Sequence, residues 1–306
     1  MWKKSSTLIL CFAALAGGTD LKRLEFVEPH MGTLFRITVY APDLAMATTA
    51  ARAAFARVKQ LDEALSDYNP ESELSLLSRR APGEWTPVSK DLFRVLEVAQ
   101  RLARDTEGAF DVTAGSVIRL WREARKTRRL PSQTEIARAL SCRGYKHLVL
   151  DKRRRSALID IAGMQLDLGA IAKGYAAGEA LNVLKNRGLK RAMIAASGDL
   201  ALGDAPPEAR GWRIQIEPSE DAQQVLILHN IAVSTSGDRS QFVEIDGKRY
   251  SHIIDARTGM ALTESRGVTV IARRGIDADS LATAACILGK PIRARRAQYF
   301  TAPAGI

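Results

Sequence analysis

Apolar residues recur with two distinct periods along this chain, and the switches between them divide it into elements. Residues 24–40, LEFVEPHMGTLFRITVY, alternate apolar and polar positions and predict a strand interrupted at Pro-His-Met-Gly. Residues 43–65 are rich in alanine with apolar side chains every three to four positions, which predicts an amphipathic helix capped by Asp43. A polar, turn-rich stretch follows at 66–79, where Ser72 is placed to start a short helix. Residues 89–110 predict a second amphipathic helix with Ser89 at its cap, and GAFDVTAGSVIRLW is read as its end and a further turn. KHLVLD, SALIDI and MQLDLG read as short strands between 144 and 168. A helix is predicted over 170–185, with Gly188 just past its end. The strands RAMIAAS, WRIQIE, QVLILHN, IAVSTS, QFVEIDG, RYSHIID and VTVIARR then precede a last helix, DADSLATAACILG. Strands outnumber helices in the second half and several suit antiparallel pairing. The expected fold class is therefore α+β: a helical N-terminal part packed on a mostly antiparallel, β-rich core with flanking helices.

Composition adds few constraints. The chain has 306 residues, 46% hydrophobic and 26% charged, values of a globular protein large enough to need no disulfide staples. The formal net charge of +11 is spread over RLWREARKTRR (119–129), DKRRRS (151–156) and RARR (293–296). Such clusters read as solvated faces that also suit an anionic ligand or an anionic membrane surface. Zinc-ligand spacing, basic aromatic repeats and a helix-turn-helix pattern are all missing, which argues against nucleic acid as a partner. The first residues, MWKK followed by STLILCFAALA, have the form of a secretory signal with cleavage after Ala16. Residues 1–16 are thus expected to be a signal peptide and 17–306 a single domain. Gly17 and Gly18 stand where a lipoprotein would carry cysteine, so the expected product is exported to a periplasm or envelope exterior without a lipid anchor. Cys142 and Cys286 then remain, both expected to be buried free thiols.

Four polar constellations carry candidate chemistry. In DLGAIAKG, Asp167 and Lys173 flank a helix start, which suits an anion, or else a cap and a solvated lysine. In DADSLAT, Asp279 and Thr283 lie four apart on one helix face, and their oxygens suit a hard cation such as Mg2+; capping by Asp277 or Asp279 is the alternative. GAFDVT places an aromatic and an acid in a turn. YSHIIDARTG sets one of only four histidines, His252, at the end of a strand, either as a core residue or as a proton acceptor. No strand leads into a GxGxxG and no GxxxxGK[ST] occurs, so neither the dinucleotide nor the P-loop mode is supported.

MGT (31–33), SDYNPESELS (66–75), GAFDVTAG (108–115), DLGAIAKGYAA (167–177), SHIIDARTG (251–259) and DADSLATA (277–284) together resemble, in order, the signatures of the ApbE-like FAD:protein FMN transferases. The resemblance spans about residues 24–289. It implies an exported, Mg2+-dependent enzyme that takes FAD, joins FMN by a phosphoester to a Ser or Thr hydroxyl of a target protein, and releases AMP. The implied targets are flavin subunits of membrane redox systems. By the same resemblance Met31, Tyr68, Ala109, Phe110, Asp111, Asp167, Lys173 and Ile253 are FAD contacts. The Ala170 carbonyl, Asp279 and Thr283 are implied Mg2+ ligands, with Ala282 adjacent. His252, beside Ile253, is the expected base for the acceptor hydroxyl, with Asp279 as the alternative. A metal-dependent FAD pyrophosphatase and an exported flavin-binding protein without turnover are the rival readings. The chain departs from the family pattern at Ser197, Ala256 and Gly178, and in its short tail, KPIRARRAQYFTAPAGI.

Overall fold

Alternation in the first ordered stretch produces a hairpin, whose two strands are Lys22–His30 (β2) and Thr33–Ala41 (β3), with Leu10–Cys11 (β1) paired to the outer edge of β2. The computed structural model describes residues 10–11, 21–216, 224–238, 241–292 and 297–301. The expected signal peptide lies outside the described residues apart from Leu10 and Cys11. Met31 and Gly32 close the hairpin at left-handed φ of 50° and 71°, which explains the interruption seen in the sequence.

The helices Leu44–Leu65 (α1), Glu73–Ser78 (α2) and Lys90–Asp105 (α3) begin at the three predicted caps. Asp43 accepts from the Met46 N–H at 2.7 Å, Ser72 from Ser75 at 3.0 Å and Ser89 from Leu92 at 3.1 Å. Thr86–Pro87 (β4) joins a small sheet with Leu148–Asp151 (β5) and Ser156–Ile159 (β6). Between them, residues expected to be a turn form the helix Gly115–Thr127 (α4), followed by Gln133–Ser141 (α5), which carries a Ser132–Glu135 capping box. MQLDLG forms no strand; its one bridge joins Gln165 to Ala114.

The rest of the chain supplies the helix Ala172–Asn186 (α6), then Ala192–Ala196 (β7), Asp199–Leu202 (β8), Trp212–Ile216 (β9), Gln224–Leu228 (β10), Ala232–Gly237 (β11), Phe242–Ile245 (β12), Lys248–Ser251 (β13), Ile254–Asp255 (β14), Met260–Ala261 (β15), Gly267–Ala272 (β16), the helix Gly275–Leu288 (α7) and Gln298–Thr301 (β17). An eight-stranded antiparallel sheet runs β1-β2-β3-β7-β8-β11-β16-β17. The tail, expected to be unlike the closing elements of the fold, therefore adds the last strand, with Val268 opposite Thr301. One sheet face is covered by α1, α6 and α7, whose alanine-rich stripes allow close approach to Ile37, Val39, Ile194 and Val270. The other carries β9 and β10 over Trp212, Ile214 and Val233. A separate cluster of Val117, Trp121 and Ala124 from α4 meets Val243, Ile245, Tyr250 and Ile254. The functional cleft lies where this cluster faces the main core. Cys286 is buried and Cys142, expected to be buried, is half-exposed because it caps α5 at the surface; both are free thiols.

Candidate active site

Helices α6 and α7 cross at a glycine pair. A Cβ on Gly174 would fall 2.3 Å from the Gly275 carbonyl oxygen, and one on Gly275 would fall 2.0 Å from that of Gly174. Only glycine permits this approach, and it brings Asp279 of α7 onto the first turn of α6. There the Asp279 Oδ2 accepts the Gly174 N–H at 2.9 Å. Gly174 is the third residue of α6, where an N–H finds no acceptor within its own helix, so the carboxylate caps the helix start. The Ala170 carbonyl, just before that start, accepts no backbone N–H among the described residues. Thr283, one turn beyond Asp279, sets its hydroxyl 3.3 Å from that of Ser236. A carboxylate, a hydroxyl and a carbonyl without a backbone donor thus line one cleft. This all-oxygen set fits a hard divalent cation, and it contains no cluster of three acids or histidines among the described residues.

Lys173 is held beside Asp279. Its Nζ donates to Asp199 Oδ2 at 2.8 Å and lies 3.9 Å from Asp279 Oδ2, while Asp199 Oδ1 accepts from the Ser234 hydroxyl at 2.6 Å. Burial first, then the charge of Asp199, push the Asp279 carboxyl up to about 7, against the opposing pull of Lys173 and the Gly174 N–H. Burial disfavours the Lys173 ammonium, but Asp279 and Asp199 more than offset it and raise its pKa. Asp279 therefore does not cap its own helix, and Lys173 is not a solvated lysine. Asp277 pairs with the Arg274 guanidinium, and α7 has no side-chain cap bond.

His252 sits where the chain changes partners. Ser251 ends the pairing of β13 with β12, and Ile253 accepts from Leu262 instead. In the gap the His252 backbone N–H and ring Nδ1 both approach the Gln241 carbonyl at 3.0 Å. A carbonyl only accepts, so Nδ1 carries the proton and Nε2 keeps its lone pair in the neutral ring. Burial lowers the pKa of this histidine, with Arg125 and Lys173 adding in the same direction. The ring lines the cleft as a neutral acceptor, which is the protonation state a base requires.

The far wall is built on α4. Ala114, Ile118, Arg122 and Arg125 follow one another along its cleft face. Arg122 donates to Asp167 Oδ2 at 2.6 Å and also to Asp67, and its guanidinium lies 4.3 Å from the ring centre of Tyr68. Asp167 also receives the Gly169 N–H at 2.8 Å; burial, then the nearby Asp67, raise its pKa. Tyr68 is 75% exposed and offers its ring to the cleft. Ala109 and Phe110 form an apolar end. The Asp111 carboxylate turns inward, accepting from Thr113 at 2.7 and 2.9 Å and from the Tyr145 N–H at 3.0 Å, so it shapes the turn that presents Phe110.

The resulting cleft has a volume of about 700 Å3, of the size that holds a dinucleotide-scale ligand. It gathers Tyr68, Ala109, Phe110, Asp111, Asp167, Ala170, Lys173, His252, Ile253, Asp279 and Thr283. Two expected residues lie outside its lining. Met31 is in the β2–β3 turn, where its N–H donates to Asp62 at 2.9 Å, and Ala282 is fully buried on the core face of α7. Sequence reading missed Arg122, Arg125, Asp199 and Gln241. Val117, Trp121 and Ala124, spaced four and three apart, are the signal by which α4 and its arginines could have been found.

The chain matches the model of the ApbE family over residues 31–301. It is 32% identical over 277 residues to the FAD:protein FMN transferase of Vibrio cholerae, covering 88% of this chain and 82% of that one. Against the protein of the same name from Treponema pallidum it is 32% identical over 301 residues, covering 92% and 83%. Its fold resembles the apo crystal structure of the Pseudomonas stutzeri flavinyl transferase ApbE, with a TM-score of 0.79 at 30% identity, covering 88% and 85% of the two chains.

Proposed function

The chain belongs to the ApbE family, and from that premise we propose that it is an FAD:protein FMN transferase that uses Mg2+ and leaves FMN phosphoester-linked to a Ser or Thr hydroxyl. The observation that carries this reading is that one cleft is lined by a neutral imidazole, its Nε2 unpartnered among the described residues, and by an all-oxygen set suited to a cation. A hydroxyl nucleophile needs a proton acceptor, and a pyrophosphate needs its charge neutralised. In the reaction the acceptor oxygen attacks the FMN-side phosphorus and its proton passes to His252 Nε2. The bond from that phosphorus to the bridging oxygen breaks, and AMP leaves with the bridging oxygen. His252 is the better base of the two candidates, because Asp279 is already engaged by the Gly174 N–H and stands beside Lys173.

The Ala170 carbonyl, Asp279 and Thr283 would hold the cation, which when bound supplies charge neutralisation at the pyrophosphate oxygens. Lys173 adds a fixed positive charge at the same end. Asp199 and Ser234 hold that ammonium in place, so the charge is preorganised before substrate arrives. At the other end Tyr68 offers one ring face for stacking while Arg122 covers the other. The acceptor is a protein carrying an exposed Ser or Thr, of the kind found in membrane redox systems, and the site of action is an exported compartment.

The test is AMP release from FAD and Mg2+, with and without a candidate acceptor domain, alongside the acceptor's mass. Acceptor-dependent AMP with FMN mass gained on one Ser or Thr supports transfer. Free FMN and AMP at the same rate without acceptor would make the protein a pyrophosphatase, and tight FAD binding without AMP under any metal would make it a binding protein.

A further inference from the structure

The two arginines on the cleft face of α4 differ in what they touch. Arg122 is bound by two carboxylates and stacked on Tyr68. Arg125, almost one turn further on, also lines the cleft and is only partly exposed, yet no carboxylate or carbonyl pairs with it among the described residues. Its charged neighbour is Arg122, of the same sign, and burial together with that neighbour lowers its pKa. A half-buried guanidinium beside another cation is unfavourable in the empty protein, and an anion in the cleft would reverse that. Arg125 also lies close enough to His252 to disfavour protonation of its ring, as Lys173 does. The unpaired cation therefore faces the stretch of cleft in which the reacting phosphate must lie. The flavin and adenine rings of FAD are neutral, and the pyrophosphate carries its charge.

We propose that Arg125 is a substrate-binding residue that receives the pyrophosphate of FAD from the α4 side, opposite Lys173 and the cation site. The proposal rests on the transferase reading above. Its planar fork suits two oxygens of one phosphate. When the P–O bond to the bridging oxygen breaks, the departing AMP phosphate gains negative charge, and a guanidinium already in place gains attraction to it as the reaction proceeds.

Titration calorimetry with FAD, riboflavin and AMP in Mg2+ tests this on wild type, Arg125→Gln and Arg125→Lys. Riboflavin carries the ring without phosphate. The expected result is an FAD affinity about 10- to 100-fold weaker in Arg125→Gln, the loss typical of one charge-assisted hydrogen-bonded pair. AMP should weaken in parallel and riboflavin should stay within about twofold, with Arg125→Lys intermediate. Because no protein partner is lost, the melting temperature should match wild type; Arg125→Lys carries the test if Arg125→Gln fails to fold. FAD binding unchanged in Arg125→Gln, or riboflavin weakened as much as FAD, overturns the proposal. If that happens while wild type still transfers FMN, only the arginine assignment falls. A wild type that binds FAD no better than riboflavin overturns the transferase reading and this proposal together.

Discussion

The two walls of the cleft are built by opposite means. Lys173, Asp199 and Asp279 stand on α6, β8 and α7, elements locked into the main sheet and its helical layer, and both carboxylates are about 95% buried or more. Tyr68, Arg122, Arg125 and His252 come from a loop, from α4 and from a break between two short strands, and Tyr68 is mostly in water. The comparison teaches where each task belongs. Holding a cation and an ammonium at fixed separation needs rigid, low-dielectric surroundings, and a glycine-to-glycine helix crossing supplies them. Admitting a large nucleotide and then a protein hydroxyl needs an accessible wall, and a peripheral helix with a second, smaller core supplies that.

The largest effect should come from the rigid wall. Asp279→Ala removes the carboxylate that would hold the cation, so transfer should fall below detection while FAD binds within about tenfold of wild type. Near-normal turnover in Mg2+ would break the division of tasks at its root. On the opposite side, His252→Asn should keep FAD and metal binding and lose about 10²- to 10⁴-fold in transfer. A matching loss of melting temperature with full activity in the folded fraction would make His252 a core residue instead.

Titration separates the walls further. Asp279 has its pKa raised to about 7, so below that pH it is protonated in the metal-free protein and a cation must displace the proton. Mn2+ affinity measured by calorimetry should fall up to about tenfold per pH unit below 7 and level off above it. The His252 pKa is lowered, so its ring stays neutral to below the ordinary ~6.5 and should not set that limb. His252→Asn should therefore show the same pH dependence of Mn2+ binding; a shifted one would place the histidine in the cation site. Tyr68→Ala is expected to weaken FAD by about tenfold, the scale of one aromatic stacking contact, with little change in metal affinity. Equal weakening of both would show that the walls are coupled.

The smallest effect concerns the turn joining β7 to β8. Ser197 occupies it at a left-handed φ of 57°. Ser197→Gly should stabilise the fold by about 1 kcal/mol, seen in thermal melts, by relieving that strain. A lower melting temperature would mean that the serine is held there by contacts worth more than the strain.

How legible each wall was follows the same division. Asp279 and Thr283 announced themselves by helical spacing, and the caps Asp43, Ser72 and Ser89 by residue type, because these signals are local. The long alternating strands were equally plain. Helix α4 was read as a turn because its N-cap, Ala114, makes no side-chain cap bond and its first residue is Gly115, needed where the backbone passes the Gln165 carbonyl. The break at His252 was hidden inside an apparently continuous strand, since the exchange of β12 for Leu262 as partner is a tertiary event. The pairing of Lys173 with Asp199, 26 residues away, and the bond from the Gly174 N–H to Asp279 likewise depend on tertiary packing. The tail looked atypical yet completes the sheet, because pairing with β16 asks for backbone groups more than for particular side chains.

A crystal structure with FAD and Mn2+, read by anomalous scattering, tests the division of the cleft most directly. The account predicts one manganese ligated by Asp279, Thr283 and the Ala170 carbonyl, with the pyrophosphate between it and the α4 wall and His252 Nε2 facing the FMN-side phosphate. Manganese bound elsewhere, with Asp279 still on the Gly174 N–H and Lys173, or a pyrophosphate remote from both walls, would contradict it.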